Sequence, residues 1–212
     1  MSAAARHGRW ITVLALAVGY ALLAHYANTT AGTGTLGALV ALAPIVLAAL
    51  SVAWHSRHRI ALLVVFGIGC AALLTAWNML EQHADRIFWT EHAGSQLFLC
   101  LVFGRTLGAG QQPLCTYFAR IVHGSLSPAH ERYTRQVTVA WTAFFGLMAV
   151  TSTILFFTAP LATWSVFANF FTAPLIGLMF IVEYAARRRL LPNIKHAHIL
   201  DAVKAMWKAP AG

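Results

Sequence analysis

Two groups of side chains in this sequence have the chemistry to bind or to react. The first is basic. Arg105, Arg120, Arg132 and Arg135, with His123 and His130, surround the stretch from Gly108 to Gln136. Guanidinium groups pair bidentately with carboxylates and phosphates, so this set suits an acidic protein partner or an anionic headgroup. The plainer reading is positive charge on one flank of a membrane protein, with ordinary lipid contacts. An enzymatic reading would use His123 as a base, but the sequence sets no nucleophile beside it.

The second group is polar and partly acidic: Asn78, Glu81, His83, Asp85, Arg86, Glu91 and His92. On a continued helix Asn78, Glu81 and Asp85 share a face at i, i+3 and i+7. Carboxylates with imidazoles bind cations or pass protons. No H-E-x-x-H or comparable ligand spacing is present, so the expectation is a solvated loop with local ion pairs. The pairs His55 and His58, and His196 and His198, come with no further ligands, and neither a metal nor a cofactor is implied. Cys70, Cys100 and Cys115 show no C-x-x-C spacing and read as buried small hydrophobes, which disfavours a disulfide-dense scaffold.

The elements that carry these residues follow from composition. Of 212 residues 59% are apolar, and only 15 basic and 6 acidic residues are present. A soluble domain carries about 25% charged residues; with 10% here, a water-facing surface cannot be covered in the usual way. Apolar runs at 10–27, 36–54, 60–80, 137–158 and 161–182 each reach the roughly 17–25 residues that cross a bilayer. The first run lacks a small-x-small site at its end and reads as an anchor rather than a cleaved signal peptide. A sixth segment, 88–107, reaches span length only by including Glu91, His92, Gln96 and Arg105. Charge placement supports it, since Lys and Arg collect on cytoplasmic flanks. With six crossings and the N-terminus inside, 14 of the 15 basic residues fall on the cytoplasmic side, and only Arg86 lies outside. The expectation is an all-α, polytopic bundle of six transmembrane helices in one domain, with both ends cytoplasmic. The basic balance then records topology, and nucleic-acid binding is not expected because no basic helix or aromatic RNA-binding signature accompanies it.

Between the fourth and fifth spans, residues 108–136 predict a short amphipathic helix opened at Pro113 and stopped at Gly124. Leu114, Phe118, Ile121 and Val122 form its apolar side, with Cys115, Arg120 and His123 turned elsewhere, which suits a helix lying in the membrane interface. Ser127-Pro128 predicts an N-cap and a long helix through Thr158, on which Glu131 and Arg135 are spaced to pair. Ionisable groups within spans are costly and carry a functional expectation. His25, Arg105 and Glu183 lie near span ends, where snorkelling accounts for them. Asn169 is the deepest strongly polar side chain and is expected to bond a neighbouring helix. The absence of a central ionisable residue argues against proton-driven transport. Trp10, Trp54, Trp77, Trp89, Trp141 and Trp164 sit near span boundaries as expected interfacial anchors. The Gly104–Gly108 spacing matches G-x-x-x-G, a weak packing signal at a charged end.

The run FGRTLGAGQQPLCTYFARIVHGSLSPAHERYTRQVTVAWTAFF, followed by WSVFANFFTAPLIGLMFIVEYAARRRLLP, resembles a bacterial family of small integral membrane proteins. Genes of that family lie beside aryl-polyene (xanthomonadin-like) and fatty-acid-synthase-like pathway genes, and its members are often labelled "ketosynthase". The resemblance covers about 97–200; the first three helices match only in general character. A condensing enzyme needs a reactive cysteine with two histidines, or His and Asn, in a large soluble fold, and the sequence sets no cysteine among such partners. The family supplies no catalytic residues to carry over. What the resemblance implies is a non-enzymatic inner-membrane component of acyl or aryl-polyene lipid biosynthesis, with an acidic acyl carrier protein or partner enzyme docking on the basic loop. The rival expectation is a small transporter or flippase for a lipid-linked product, which calls for a cavity lined by Asn169 and Glu183.

Overall fold

The computed structural model describes residues 3–30 and 34–190, with side chains from Ile11 onward. The basic tail beyond Leu190 and the side chains of Arg6, Arg9 and Trp10 lie outside the described residues. The described elements are α1 (Ala3–Thr29), α2 (Gly34–His55), α3 (Arg59–Thr75), α4 (Trp77–Gln82), α5 (Ala84–Arg105) and α6 (Leu114–His123). They continue with α7 (Pro128–Thr158), α8 (Leu161–Val166), a π-helical turn (Phe167–Phe171) and α9 (Thr172–Leu190). No strand occurs among the described residues.

Among the described residues four helical stretches are long and apolar enough to cross a membrane: Ile11–Thr29, Gly34–His55, Pro128–Thr158 and Leu161–Leu190. The third expected span is shorter than its apolar run, because α3 ends at Thr75 and the chain re-enters α4 only after Ala76. Asn78, Glu81 and Asp85 therefore do not share one continued helix. Glu81 instead accepts hydrogen bonds from Trp77 Nε1 at 2.7 Å and from the Thr35 hydroxyl. Of the segment expected at 88–107, residues 88–105 lie on one unbroken helix, α5, of 22 residues, and Thr106 and Leu107 form a turn beyond it.

The chain forms two compact units. The first comprises Met1–His92 and Ser152–Thr172, the second Ala93–Thr151 and Ala173–Gly212. In the first unit α1 packs against α2 and α8, and α2 against α3 and α4. Its core gathers Ala24, Val40, Ala41, Phe88 and Trp164. The π turn precedes Pro174, which lacks an N–H for the Phe170 carbonyl and whose ring crowds it. Widening the preceding turn relieves that conflict, and the Thr172 hydroxyl caps the Phe167 carbonyl at 3.3 Å.

In the second unit Trp141 stacks on Phe145 at 5.3 Å and meets Phe180 at 4.8 Å, with Phe103 against Phe145 at 5.5 Å. A glycine at 104 admits the Thr142 methyl, since a Cβ there would lie only 3.2 Å from it. The expected boundary role of two tryptophans is corrected here. Trp141 is 5% and Trp164 1% exposed, so both are core residues, whereas Trp54 at 65% fits an anchor. The reason is chemical: an indole brings a large apolar face and one N–H, and the buried Trp164 N–H finds the Ser152 hydroxyl at 3.0 Å.

Candidate functional site

The site is built where α6 meets α7 and α9 within the second unit. Pro113 (φ −55°, ψ 139°) sets the extended entry to α6. Gly124 ends it with φ 73°, a conformation that favours glycine, while its N–H reaches the Arg120 carbonyl at 2.8 Å. Ser127 caps α7 through its Oγ, which accepts from the His130 N–H at 3.3 Å.

Thr134, Thr138 and Thr142 lie four residues apart on α7 and each returns its hydroxyl proton to the carbonyl one turn earlier, at 3.1, 2.9 and 2.8 Å. That leaves their oxygens free to accept. Thr138 Oγ1 accepts the Cys115 N–H at 3.2 Å, Thr134 Oγ1 meets Thr116 Oγ1 at 2.8 Å, and Thr106 Oγ1 takes the Leu114 N–H at 3.0 Å. Two orphan amides of the first turn of α6, Leu114 and Cys115, are thus satisfied by threonines, and the Thr138 and Thr134 contacts pin α6 to α7.

Two concavities flank this seam. On one side an open cleft of about 470 Å³ is lined by Gln111, Gln112, Thr116, Arg120, Glu131, Arg132 and Arg135, among others. Arg120 pairs with Glu131, while Arg135 donates to the Leu107 carbonyl at 3.2 Å. The expected Glu131–Arg135 pairing along α7 is therefore replaced, because the docked α6 brings Arg120 to the same carboxylate. Arg132 is exposed.

On the other side a cavity of about 190 Å³ has walls from Cys115, Phe118, Val122 and His123 of α6, His130, Tyr133, Val137 and Trp141 of α7, and Phe180, Glu183 and Arg187 of α9. The Tyr133 hydroxyl reaches the Glu183 carbonyl oxygen at 2.9 Å and its carboxylate at 3.1 Å. Arg187 Nε stands 3.5 Å from that carboxylate, and the His123 and His130 rings are 5.7 Å apart. Cys115 and His123, which the sequence sets off the apolar side of α6, face this cavity, and Phe118 and Val122 from that side line it as well.

The basic set expected to act together is divided by the seam. Arg120, Arg132 and Arg135 share the cleft, His123 faces the cavity, and Arg105 ends α5 and lines neither. Cys115, His123 and His130 do line one cavity, a juxtaposition the sequence hid. Yet Cys115 and His123 are eight residues apart, about 12 Å along the helix axis at 1.5 Å per residue. Burial also pushes the Cys115 thiol up, against the thiolate a nucleophile needs. The arrangement is not a Cys–His pair.

Asn169 lies in the first unit and donates to the Ser165 carbonyl and hydroxyl at 3.0 and 3.1 Å, on its own helical stretch. Ser165 in turn meets His25 Nδ1 at 3.0 Å, so the link to a neighbouring helix runs through Ser165. Sequence reasoning missed a second chain in that unit. Trp164 donates to Ser152 Oγ, which lies 2.9 Å from His92 Nδ1, and His92 Nε2 lies 2.9 Å from Thr172 Oγ1. No three of His, Cys, Asp and Glu converge as a metal site among the described residues.

Among the described residues, fold and site together define an all-helical architecture with four helices of membrane-crossing length and a threonine-sealed polar seam beside a small amphipathic cavity. Comparison with family models, curated proteins and solved structures yields no match.

Proposed function

We propose that this is a non-enzymatic inner-membrane component that docks an acidic partner on the cleft of Arg120, Arg132 and Arg135. The resemblance noted above directs the partner to an acyl carrier protein, and the setting to acyl or aryl-polyene lipid biosynthesis. One observation carries the reading: three arginines separated by up to 15 positions line one open cleft with a single carboxylate, Glu131. Complementary charge of this kind speeds encounter and fixes orientation.

The topology belongs to the same proposal. Six crossings arise if α3, at 17 residues, and α5, which carries Asp85, Arg86, Glu91 and Arg105, join the four long apolar helices. Both termini and the cleft then share the cytoplasmic side, and α6 rests in the interface with Tyr117 and Ile121, both exposed, toward lipid. The transport alternative has weaker support. It called for a cavity lined by both Asn169 and Glu183; Glu183 lines one, whereas the Asn169 amide is engaged by Ser165.

The test is retention of purified apo-acyl carrier protein on immobilised protein in nanodiscs. Replacing Arg120, Arg132 and Arg135 together by Glu is expected to lower retention at least tenfold. Glu131→Gln, which releases Arg120, is expected to raise it. Equal retention by all three proteins ends the proposal.

A further inference from the structure

The cavity on the other side of the seam has no part in the docking reading, and its chemistry is that of a different ligand. One end is apolar and aromatic: Phe118, Val137, Trp141 and Phe180. The other end holds His123, His130, Arg187 and one carboxylate, Glu183. Arg187 is the informative residue. Its side chain is 19% exposed, and both Nε and Nη2 are buried without a hydrogen-bond partner among the described residues. These two nitrogens form one edge of the guanidinium, the fork that grips a carboxylate or phosphate with two parallel N–H bonds. Glu183 stands beside it at 3.5 Å but outside hydrogen-bond geometry, and its carboxylate is already bonded by Tyr133. Buried charged donors without a hydrogen-bonded acceptor are costly; the Glu183 ion pair and the Tyr184 ring, 5.7 Å from the guanidinium carbon, balance the charge without supplying one, and an acceptor entering the cavity would.

The volume narrows the ligand further. At 190 Å³ the cavity is smaller than the roughly 300–1,000 Å³ that encloses a drug-sized molecule. At ~30 Å³ per water it holds about six small groups, enough for a headgroup and the start of one chain. We infer that this cavity binds a single-chain amphiphile by its anionic head, with Arg187 and the paired histidines at the head and Trp141 and Phe180 along the first part of the tail. The rest of the chain leaves through the mouth. The proposal stands or falls independently of carrier docking, because the arginines of the cleft do not line this cavity.

The experiment uses the full chain in nonionic detergent and 5,6-dibromodecanoate, whose bromines lie on the part of the tail beside Trp141, as a quencher of tryptophan fluorescence, with decanoate, decyl phosphate and decanol as competitors. Saturable quenching is expected, displaced by decanoate or decyl phosphate and at least tenfold less well by decanol. The stronger of the two anions identifies the head as carboxylate or phosphate. Arg187→Gln is expected to weaken binding at least tenfold, while Arg188→Gln, outside the cavity, leaves it within twofold. Because Arg187→Gln can also unsettle α9, Ala119→Phe, at a residue of α6 that also lines the cavity, provides a second variant that fills the cavity and keeps the arginine; it too is expected to abolish saturable quenching. Trp141→Phe is expected to remove most of the signal. Equal competition by decanol, or unchanged binding in Arg187→Gln and Ala119→Phe, overturns the proposal.

Discussion

Replacing Thr138 by valine keeps the shape of the side chain and removes one hydroxyl from the seam between α6 and α7. Thr138 is fully buried, and its oxygen accepts the Cys115 N–H at 3.2 Å. Cys115 is the second residue of α6, so no carbonyl four residues back within the helix is available to it. The variant strands that amide, at a cost of about 1–3 kcal/mol. The Thr134 carbonyl, which loses the Thr138 proton, suffers less because it lies inside α7 and keeps its backbone bond. Two further links hold α6: the Leu114 N–H to Thr106 and the Thr116–Thr134 hydroxyl pair, each worth about 0.5–1.5 kcal/mol net. The helix is therefore expected to stay docked on average but to open more often.

The size of that change follows directly. A loss of about 1–3 kcal/mol raises the population of the opened state between about 5- and 150-fold. Hydrogen–deuterium exchange of the peptide covering 114–123, measured in nanodiscs, reads that population. Thr138→Ser is the control: it retains the oxygen and gives up one methyl, about 0.8 kcal/mol of burial. Its exchange is expected to rise by no more than about fourfold, below that of Thr138→Val, and peptides of α1 and α2 are expected to be unaffected in both variants. Exchange in Thr138→Val that matches the wild type refutes the capping argument. So does Thr138→Ser behaving as badly as valine, since the loss would then come from packing rather than from the oxygen.

Two further outcomes are expected. In a protein with Cys70 and Cys100 replaced by alanine, burial raises the Cys115 pKa, so at pH 8 less thiolate is present than for a free cysteine. Iodoacetamide labelling in the folded protein is then expected to be at least tenfold slower than after SDS unfolding, and to quicken as pH rises; fast labelling at pH 8 contradicts the burial of the thiol. His92→Phe removes the bonds to Ser152 and Thr172, each worth about 0.6 kcal/mol in a membrane setting. The summed loss of about 1 kcal/mol is expected to lower the thermal midpoint by a few degrees; an unchanged midpoint removes His92 from the account of stability.

The parts legible in the sequence were those governed by backbone rules and by transfer from water. Apolar runs marked the long helices, Pro113 and Gly124 marked the ends of α6, and Ser127-Pro128 marked the start of α7. Each of these rests on an element's own residues. The pairing of Glu131 did not: on α7 alone Arg135 is the correctly spaced partner, and only the docking of α6 offers Arg120 in its place. His92 was grouped with loop polar residues because Ser152 and Thr172, 60 and 80 positions further on, carry no local signal toward it.

The protein-facing side of α6 shows where hydrophobicity alone stops being informative. In a soluble protein the apolar side of a helix marks its contact with the core. If α6 rests in a membrane interface, as proposed, lipid is as good a solvent for Ile121 and Tyr117 as protein is, and both are exposed. What then distinguishes the protein-facing side is what lipid cannot satisfy: hydroxyls, amides, and small residues that admit close approach. Thr134, Thr138 and Thr142 at intervals of four, opposite Thr116 and Gly104, are that signal. Read by this rule, Thr116 marks the seam more surely than any apolar residue of α6, and the polar side chains flanking it separate into the two groups the structure keeps apart. Arg120 turns to the open cleft. Cys115 and His123 turn to the cavity.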